Sequence, residues 1–461
     1  MNHTFRRFLV ALAIIAVALV AASCDRGAGT SSTAPGGTVG PGGTIPGATT
    51  TTYETIASIP ASQVPGTHSA SISEELDAKM RVDIGLLMLA AEESRALPFL
   101  EIPTVTILDQ AEFQSRVAAD VAEDLDSTHL ANDQKLFELM GMLDGQTDLG
   151  ELLVELYAEQ VLGFYDGETK EIVVPAEPDG FSAYQRITIV HELVHALTDQ
   201  HFDFNPEFER RSDEGNIDDA AALLAVVEGD ATYQQFLYVQ NMDPADAVQA
   251  ALEALSFDSA TLDSAPTWVG LDLAFPYEQG LVFMREIIAD NGLKGVDEVY
   301  QDLPTTTEQI LDPNKYLRRQ GPEPLDPVSV TLPGWDVHED ASWGEWGVRM
   351  ILTDTVTPGM VTQASSGWGN DSYRTLVNGD DIAMAWSYLA ETDQDAEDLV
   401  NALIVHARDR MGATSSQESG GGLLLTGDGI YVFIDRMDDH FVFIASTDPA
   451  AGNSLRSQMG V

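Results

Sequence analysis

The stretch HELVHALTDQH, residues 191–201, contains three histidines and one glutamate at spacings that suit metal chemistry. On an α-helix, side chains at i and i+4 project from one face about 6 Å apart, so His191 and His195 can reach a single ion. Imidazole nitrogens bind Zn²⁺ at roughly 2 Å, and the glutamate after the first histidine can address a water molecule beside the ion. The spacing predicts a zinc centre with Glu192 next to it.

The third histidine of this stretch raises a separate question. If the helix continues, His201 lies about 15 Å from His191 along the axis and cannot touch the same ion. Metzincin peptidases use a histidine at this position, after a glycine that lets the chain leave the helix. Here Thr198 stands in place of that glycine, and a β-branched residue resists positive φ. We expect His201 to support the site, and we keep ligation by His201 as an alternative.

A carboxylate further along the chain is the better candidate for the third ligand. Glu228, in VVEGDATY, lies on a strongly apolar predicted helix, where a lone carboxylate needs a partner. Gly229 destabilises such a helix by about 1 kcal/mol relative to alanine. A close approach of this helix to the helix of His191 would explain why a glycine stands there. We predict Glu228 as the third ligand; the alternative is a surface glutamate beside a helix kink.

The elements around these residues indicate an α+β fold with a small sheet, a metal-site helix and a helical region, followed by a C-terminal α+β segment. TVTIL (Thr104 to Leu108) is typical of a strand, and GFYDGETKEIVVP predicts a hairpin about Asp166 and Gly167. The apolar stretches GLLLT, GIYVFID and FVFIAS predict strands near the C-terminus. EIVVP (Glu171 to Pro175) is a candidate for pairing with an extended peptide.

The N-terminus predicts export. Arg6 and Arg7 precede an apolar run too short to span a membrane, and VAASC resembles a bacterial lipobox ending at Cys24. This resemblance implies cleavage before Cys24 and its lipidation; an ordinary secretory signal is the alternative. We predict four regions: a signal peptide (1–23), a lipidated cysteine with a Gly/Ser/Thr/Pro-rich linker (24–69), a metallopeptidase-like domain (70–360) and a C-terminal region (361–461).

The charge balance restricts the partners of the protein. The 461 residues contain 23 Lys and Arg against 74 Asp and Glu, a formal net charge of -51. Such a field repels phosphate backbones and anionic lipid headgroups. Nucleic acid is therefore an unsuitable partner, and we expect membrane association only through the lipid anchor.

HExxH followed by a glutamate on the next helix resembles the gluzincins, a class of zinc peptidases. FPYEQGLVFMREI (275–287) is similar to a segment of aminopeptidase-N-type enzymes. The resemblance implies a zinc-dependent hydrolase of peptides or proteins, in which Glu192 is the general base and Tyr277 donates a hydrogen bond to the oxyanion. The layout also resembles uncharacterised bacterial lipoproteins with HELxHALxDQHF…EGDA, which implies an extracytoplasmic location on the bacterial cell membrane.

Two departures from the gluzincin pattern affect these expectations. The chain has no GxMEN segment, which in aminopeptidase-N-type enzymes helps to grip the free α-amine of the substrate, so the resemblance does not imply aminopeptidase specificity. Thr232 stands where many gluzincins have an acidic residue that supports a ligand; Asp199 or Asp230 is the candidate for orienting a ligand histidine instead. The alternative function is a non-catalytic surface lipoprotein with a structural zinc site.

Overall fold

The computed structural model describes residues 64–124, 127–257 and 259–461. The predicted signal peptide, the lipidation site Cys24 and nearly all of the predicted linker lie outside the described residues. The described chain confirms the α+β class: helices dominate, and the strands form one small sheet and one larger antiparallel sheet.

The first half of the chain combines a three-stranded sheet with long helices. Its elements, in chain order, are α1 (Glu74–Arg95), β1 (Thr104–Leu108), α2 (Gln110–Asp124), α3 (Ser127–Leu139), α4 (Leu149–Gln160), β2 (Phe164–Asp166), β3 (Glu171–Pro175), α5 (Ala183–Phe202), α6 (Asn205–Asp213), α7 (Ile217–Asn241) and α8 (Pro244–Ala254).

The small sheet has the order β1-β3-β2. Strand β3 pairs with β1 in parallel and with β2 antiparallel, which confirms the predicted strand at Thr104–Leu108 and the hairpin. Strand β3 lies between two strands: β1 pairs with all of Glu171–Pro175, and β2 pairs with residues 171–173. The prediction that EIVVP (Glu171–Pro175) accepts an extended peptide along its length is therefore wrong; β2 is the edge strand on this side.

The second half begins with helices and continues into a seven-stranded antiparallel sheet. Its elements are α9 (Ala260–Ser264), α10 (Thr267–Gln301), α11 (Thr307–Leu311), α12 (Pro313–Leu317), β4 (Asp336–Ala341), α13 (Gly344–Leu352), α14 (Pro358–Ser365), β5 (Trp368–Asn378), β6 (Asp381–Ala390), α15 (Asp393–Asp409), β7 (Ser415–Ser419), β8 (Gly422–Gly427), β9 (Ile430–Met437), β10 (His440–Ser446) and α16 (Pro449–Met459).

The larger sheet has the order β4-β5-β6-β10-β9-β8-β7. The three C-terminal strands predicted from GLLLT, GIYVFID and FVFIAS are β8, β9 and β10. Strand β4 pairs with β5, so the sheet includes residues on both sides of position 361. One large apolar core runs from α2 and α7 to the inner face of this sheet.

A second apolar core surrounds the small sheet. It packs α1 and α5 against β1 and β3, with Met80, Val105, Ile172 and Leu193 among its fully buried members. This core holds α5 from several sides, so the helix is buried around most of its circumference. In the described ranges, every helix is too short or too polar to cross a bilayer.

Candidate metal centre

Helix α5 carries the paired histidines and begins with a capping box. The Ser182 side chain accepts from Gln185 N–H, and the Gln185 side chain accepts from Ser182 N–H, which satisfies two otherwise unpaired helix-start groups. The helix continues without a break to Phe202, and Thr198 Oγ donates to Val194 O at 2.9 Å. His191 and His195 therefore lie one turn apart on one face.

Three ligand atoms from two helices converge at this face. His191 Nε2 lies 3.0 Å from Glu228 Oε2, His195 Nε2 lies 3.4 Å from the same oxygen, and the two Nε2 atoms are 2.9 Å apart. Glu228 comes from α7, which packs against α5. The structure thus brings together three of the predicted site residues into a group that could hold a metal ion.

The spacing of these atoms fits a tetrahedral ion. A Zn²⁺ ion with bonds of roughly 2.0–2.1 Å places neighbouring ligand atoms about 3.3–3.4 Å apart, close to the 2.9–3.4 Å found here. Two imidazoles and one carboxylate also form a donor set that zinc accepts, with one position left open.

The electrostatics of the group favour a cation. Burial lowers the pKa of His191, although the carboxylate of Glu228 opposes it, so the imidazole is neutral and able to bind metal. Burial raises the pKa of Glu228, but the charges and hydrogen bonds of His195 and His191 outweigh it and lower that pKa below its ordinary value. An ionised carboxylate that lies beside two imidazoles in the interior calls for a positive ion.

Gln235 orients one of the histidines and was missed by sequence reasoning. Its Oε1 lies 2.9 Å from His191 Nδ1, so Nδ1 carries the proton and the Nε2 lone pair is available to a metal ion. The spacing was an available signal, because residue 235 lies seven positions after Glu228 and so shares its face of α7. The residue type alone did not indicate a supporting role, because glutamine is common on helices.

Glu192 faces the edge strand of the small sheet. Tyr165 N–H of β2 donates to Glu192 Oε2 at 2.9 Å, while Oε1 is buried and has no hydrogen-bond partner among the described residues. Burial, followed by the negative charge of Glu228, raises the pKa of Glu192 well above its ordinary value. One oxygen is thus fixed by the backbone and the other is left for a reactant.

A crossing of two helices holds Glu228 in place. A Cβ on Gly229 of α7 would lie 2.4 Å from the carbonyl carbon of Gly280 on α10, and a Cβ on Gly280 would lie 2.1 Å from Ala225 O. Only glycine at both positions permits this approach. The predicted close approach at Gly229 exists, but the helix that this glycine meets is α10 and not the helix of His191, which α7 contacts through Glu228.

Helix α10 also brings Tyr277 to the histidines. The Tyr277 ring is stacked against the His191 ring, with centroids 6.0 Å apart and planes inclined by 29°. The helix contains Pro276 just before this residue and is interrupted at Gly292. The structure therefore places the predicted oxyanion donor beside the metal group.

The supporting residues proposed from the sequence occupy other positions. His201 Nε2 lies 2.7 Å from Pro98 O, at the far end of α5, so it is not brought to the other two histidines. Asp199 Oδ2 accepts from Tyr165 Oη and Lys170 Nζ, both at 2.6 Å. Asp230 Oδ2 accepts from Arg95 Nε at 2.8 Å. The contacts of both aspartates support the fold around the site, and the expected hydrogen bond to a ligand histidine is made by Gln235 instead.

The whole centre is enclosed. His191, Glu192, His195 and Glu228 are each 0% exposed, and Tyr277 is 4% exposed. In this conformation these side chains are shielded from solvent and from any large ligand. The arrangement suits metal binding as it stands, whereas a reaction on a large ligand would require a neighbouring element to move.

Comparisons with known proteins relate the chain to a family of unknown function and to one solved structure. Residues 332–452 match a family described as a domain of unknown function (DUF8575). A comparison with curated proteins gives no match. The chain is similar to the crystal structure of a candidate hydrolase with a novel fold from Chloroflexus aurantiacus, at 15% identity and a TM-score of 0.35, over 57% of this chain and 95% of that one. A likeness at this level transfers neither fold nor activity.

Proposed function

We propose that the protein is a zinc-dependent peptide-bond hydrolase of the gluzincin type, with His191, His195 and Glu228 as its metal ligands. The observation that carries the proposal is the convergence of three ligand atoms within 2.9–3.4 Å next to the carboxyl group of Glu192. When bound, zinc supplies Lewis acidity, which polarises the scissile carbonyl and acidifies a water molecule.

The residues around the ligands fit distinct roles in this chemistry. Glu192 uses Oε1 to take a proton from the attacking water and deliver it to the leaving amine, while the bond from Tyr165 N–H to Oε2 fixes the carboxyl plane. Gln235 keeps the proton of His191 on Nδ1. Tyr277, stacked beside His191, donates a hydrogen bond to the developing oxyanion.

The test compares the wild-type protein with Glu192→Gln. The two are assayed for zinc content and for cleavage of a random peptide library. The proposal expects about one zinc at this centre in both proteins, with activity only in the wild type. Cleavage that survives unchanged in Glu192→Gln, or a wild-type protein without zinc at this centre, contradicts the proposal.

The enclosure of the centre favours a second candidate function, a structural zinc site in a non-catalytic protein. Structural sites are closed, whereas catalytic sites keep a position open to water, and the four central residues are 0% exposed. This candidate expects zinc in both proteins, no peptide cleavage in either, and a marked loss of stability when the metal is removed.

We also propose that the protein is held outside the cytoplasm on the bacterial membrane by a lipid on Cys24. The sequence VAASC at residues 20–24 supports this proposal. Replacement Cys24→Ser is expected to move the protein from the membrane fraction to the soluble fraction. A membrane fraction that does not change with this substitution contradicts lipidation.

A further inference from the structure

A second cluster of metal-binding side chains lies away from the centre described above. His129 and Asp133 are one turn apart on α3, and His338 lies on β4, 205 residues after Asp133. Asp133 Oδ1 lies 2.9 Å from His338 Nε2 and 3.6 Å from His129 Nε2, and the two imidazole rings are 4.6 Å apart between centroids. One carboxylate oxygen thus lies beside two imidazoles.

We propose that His129, Asp133 and His338 bind a divalent transition-metal ion, and that this ion joins α3 to the larger sheet. The ligand atoms all lie within 4.8 Å of one another. The two nitrogen–oxygen distances lie on either side of the roughly 3.3 Å expected between neighbours on a tetrahedral zinc ion. Imidazole nitrogens select zinc, cobalt or nickel over magnesium and calcium.

The backbone of β4 is shaped to present His338. Val337 pairs with Leu376 and Glu339 pairs with Thr375, so two neighbouring residues of β5 face three residues of β4 and His338 is the extra one. A β-bulge of this kind redirects side chains and is frequent beside functional sites. In a regular strand, positions 338 and 339 would point to opposite faces; here both side chains are largely buried.

A cavity lies on the Asp133 side of the cluster. Its volume is about 70 Å³, and Asp133, but neither histidine, lines it together with Glu339 and Tyr373. This volume accommodates at least one water molecule, since a cavity needs only roughly 10–15 Å³ to hold one. The side chain of His129 is 16% exposed, which offers the ion a route from solvent that the 0% exposed first centre does not have.

The site would connect parts of the chain that are far apart in sequence. His338 lies within residues 332–452, the segment that matches a domain of unknown function, whereas α3 belongs to the first half of the chain. An ion bound by residues of both α3 and β4 adds metal–ligand bonds between these two parts of the chain. Since metal binding favours the folded state, loading the site stabilises this junction.

The experiment measures metal content in four versions of the protein. Metal-free protein is loaded with Co²⁺, freed of excess metal and analysed for ions per chain. We expect about two ions in the wild type and about one each in His338→Ala and His129→Ala. His440→Ala is the matched control, because His440 is also a strand histidine with one side-chain partner, Ser387 Oγ at 2.8 Å; it is expected to keep both.

A second measurement isolates the new site from the first. In a His191→Ala, His195→Ala background, Co²⁺ is expected to raise the melting temperature, and this rise is expected to disappear when His129→Ala is added. His129 is the more exposed of the two histidines, so its replacement is the safer one for folding. Unchanged cobalt content in a folded His129→Ala protein, or no cobalt response in the double-histidine background, overturns the proposal. Neither result depends on peptidase activity.

Discussion

His191 Nδ1 lies 2.9 Å from Gln235 Oε1, across the interface between α5 and α7. This hydrogen bond selects the tautomer in which the Nε2 lone pair faces Glu228 and His195, so the glutamine would prepare His191 to bind a metal ion without itself being a ligand. Loss of such a supporting partner typically costs 10–100-fold in metal affinity. Gln235→Leu is therefore expected to weaken zinc binding by about that factor, measured by competition with a chelator.

The neighbouring glutamine provides the control for this substitution. Gln234 is also fully buried on α7, but its Nε2 donates to Asp230 Oδ1 at 3.0 Å. Gln234→Leu is expected to reduce stability while leaving zinc affinity near the wild-type value. If both variants lose zinc affinity equally, Gln235 contributes by stabilising the fold and not by its hydrogen bond to His191.

The identity of the third ligand is tested by a pair of substitutions. Glu228 Oε2 lies 3.0 and 3.4 Å from the two histidine nitrogens, whereas His201 Nε2 lies 2.7 Å from Pro98 O. Glu228→Ala is expected to reduce zinc affinity by more than the roughly 100-fold limit for a supporting residue, and His201→Ala is expected to leave it nearly unchanged. The reverse pattern, read from zinc per chain, would support ligation through His201.

The crossing of α7 and α10 predicts a sharp difference between two glycines of the same helix. A Cβ at Gly280 would meet Ala225 O at 2.1 Å, whereas one at Gly270 meets only Leu262 Cδ1 at 3.5 Å. Gly280→Ala is expected to lower the free energy of unfolding by roughly 1–3 kcal/mol, as overpacking does. Gly270→Ala is expected to leave it unchanged or raise it by up to about 1 kcal/mol. Denaturant unfolding of both variants measures the contrast.

His406, a buried histidine outside both metal groups, is expected to make the folded protein less stable at acidic pH. His406 Nε2–H donates to Met140 O, and Nδ1 accepts from Thr355 Oγ, both at 2.6 Å. Burial lowers the pKa of His406 to about 4; Met140 O opposes this shift, and Arg410 adds to it. In the unfolded chain this histidine titrates near its ordinary value of about 6.5. Between these pH values the unfolded state binds more protons, so stability falls as the pH falls.

The titration of His406 alone is expected to lower the free energy of unfolding by about 3 kcal/mol as the pH falls from 6.5 to 4. The measurement is the free energy of unfolding as a function of pH for wild type and His406→Gln. Because other buried groups also titrate in this range, the difference between the two curves isolates His406. A difference that does not change with pH between 6.5 and 4 contradicts the prediction.

Local patterns predicted the elements that build the first centre. Apolar periodicity located α5, and turn residues located the hairpin between β2 and β3. The position of β3 within the sheet was not predictable in the same way, because strand order is set by contacts between distant segments. Glu171–Pro175 looks the same in sequence whether it forms the centre or the edge of a sheet.

The larger sheet shows a second reason why parts of the fold were missed. Strand β5 contains Gly369, Asn370 and Asp371, which are residue types depleted in strands and typical of loops. Asp371 is nevertheless buried and accepts hydrogen bonds from the indole N–H groups of Trp368 and Trp386, at 2.7 and 2.9 Å. A polar residue inside a sheet is recognisable only when its distant partners are known.

The two metal groups differ in the length of chain that each must close. His191 and Glu228 are 37 residues apart, whereas Asp133 and His338 are 205 apart. Loop-closure entropy makes the longer connection about 1.5 kcal/mol more costly. In chain order, residues 191–228 are complete well before residue 338, which Asp133 needs as its partner. Assembly of the first centre therefore does not depend on the larger sheet, whereas the second group cannot form until β4 is present.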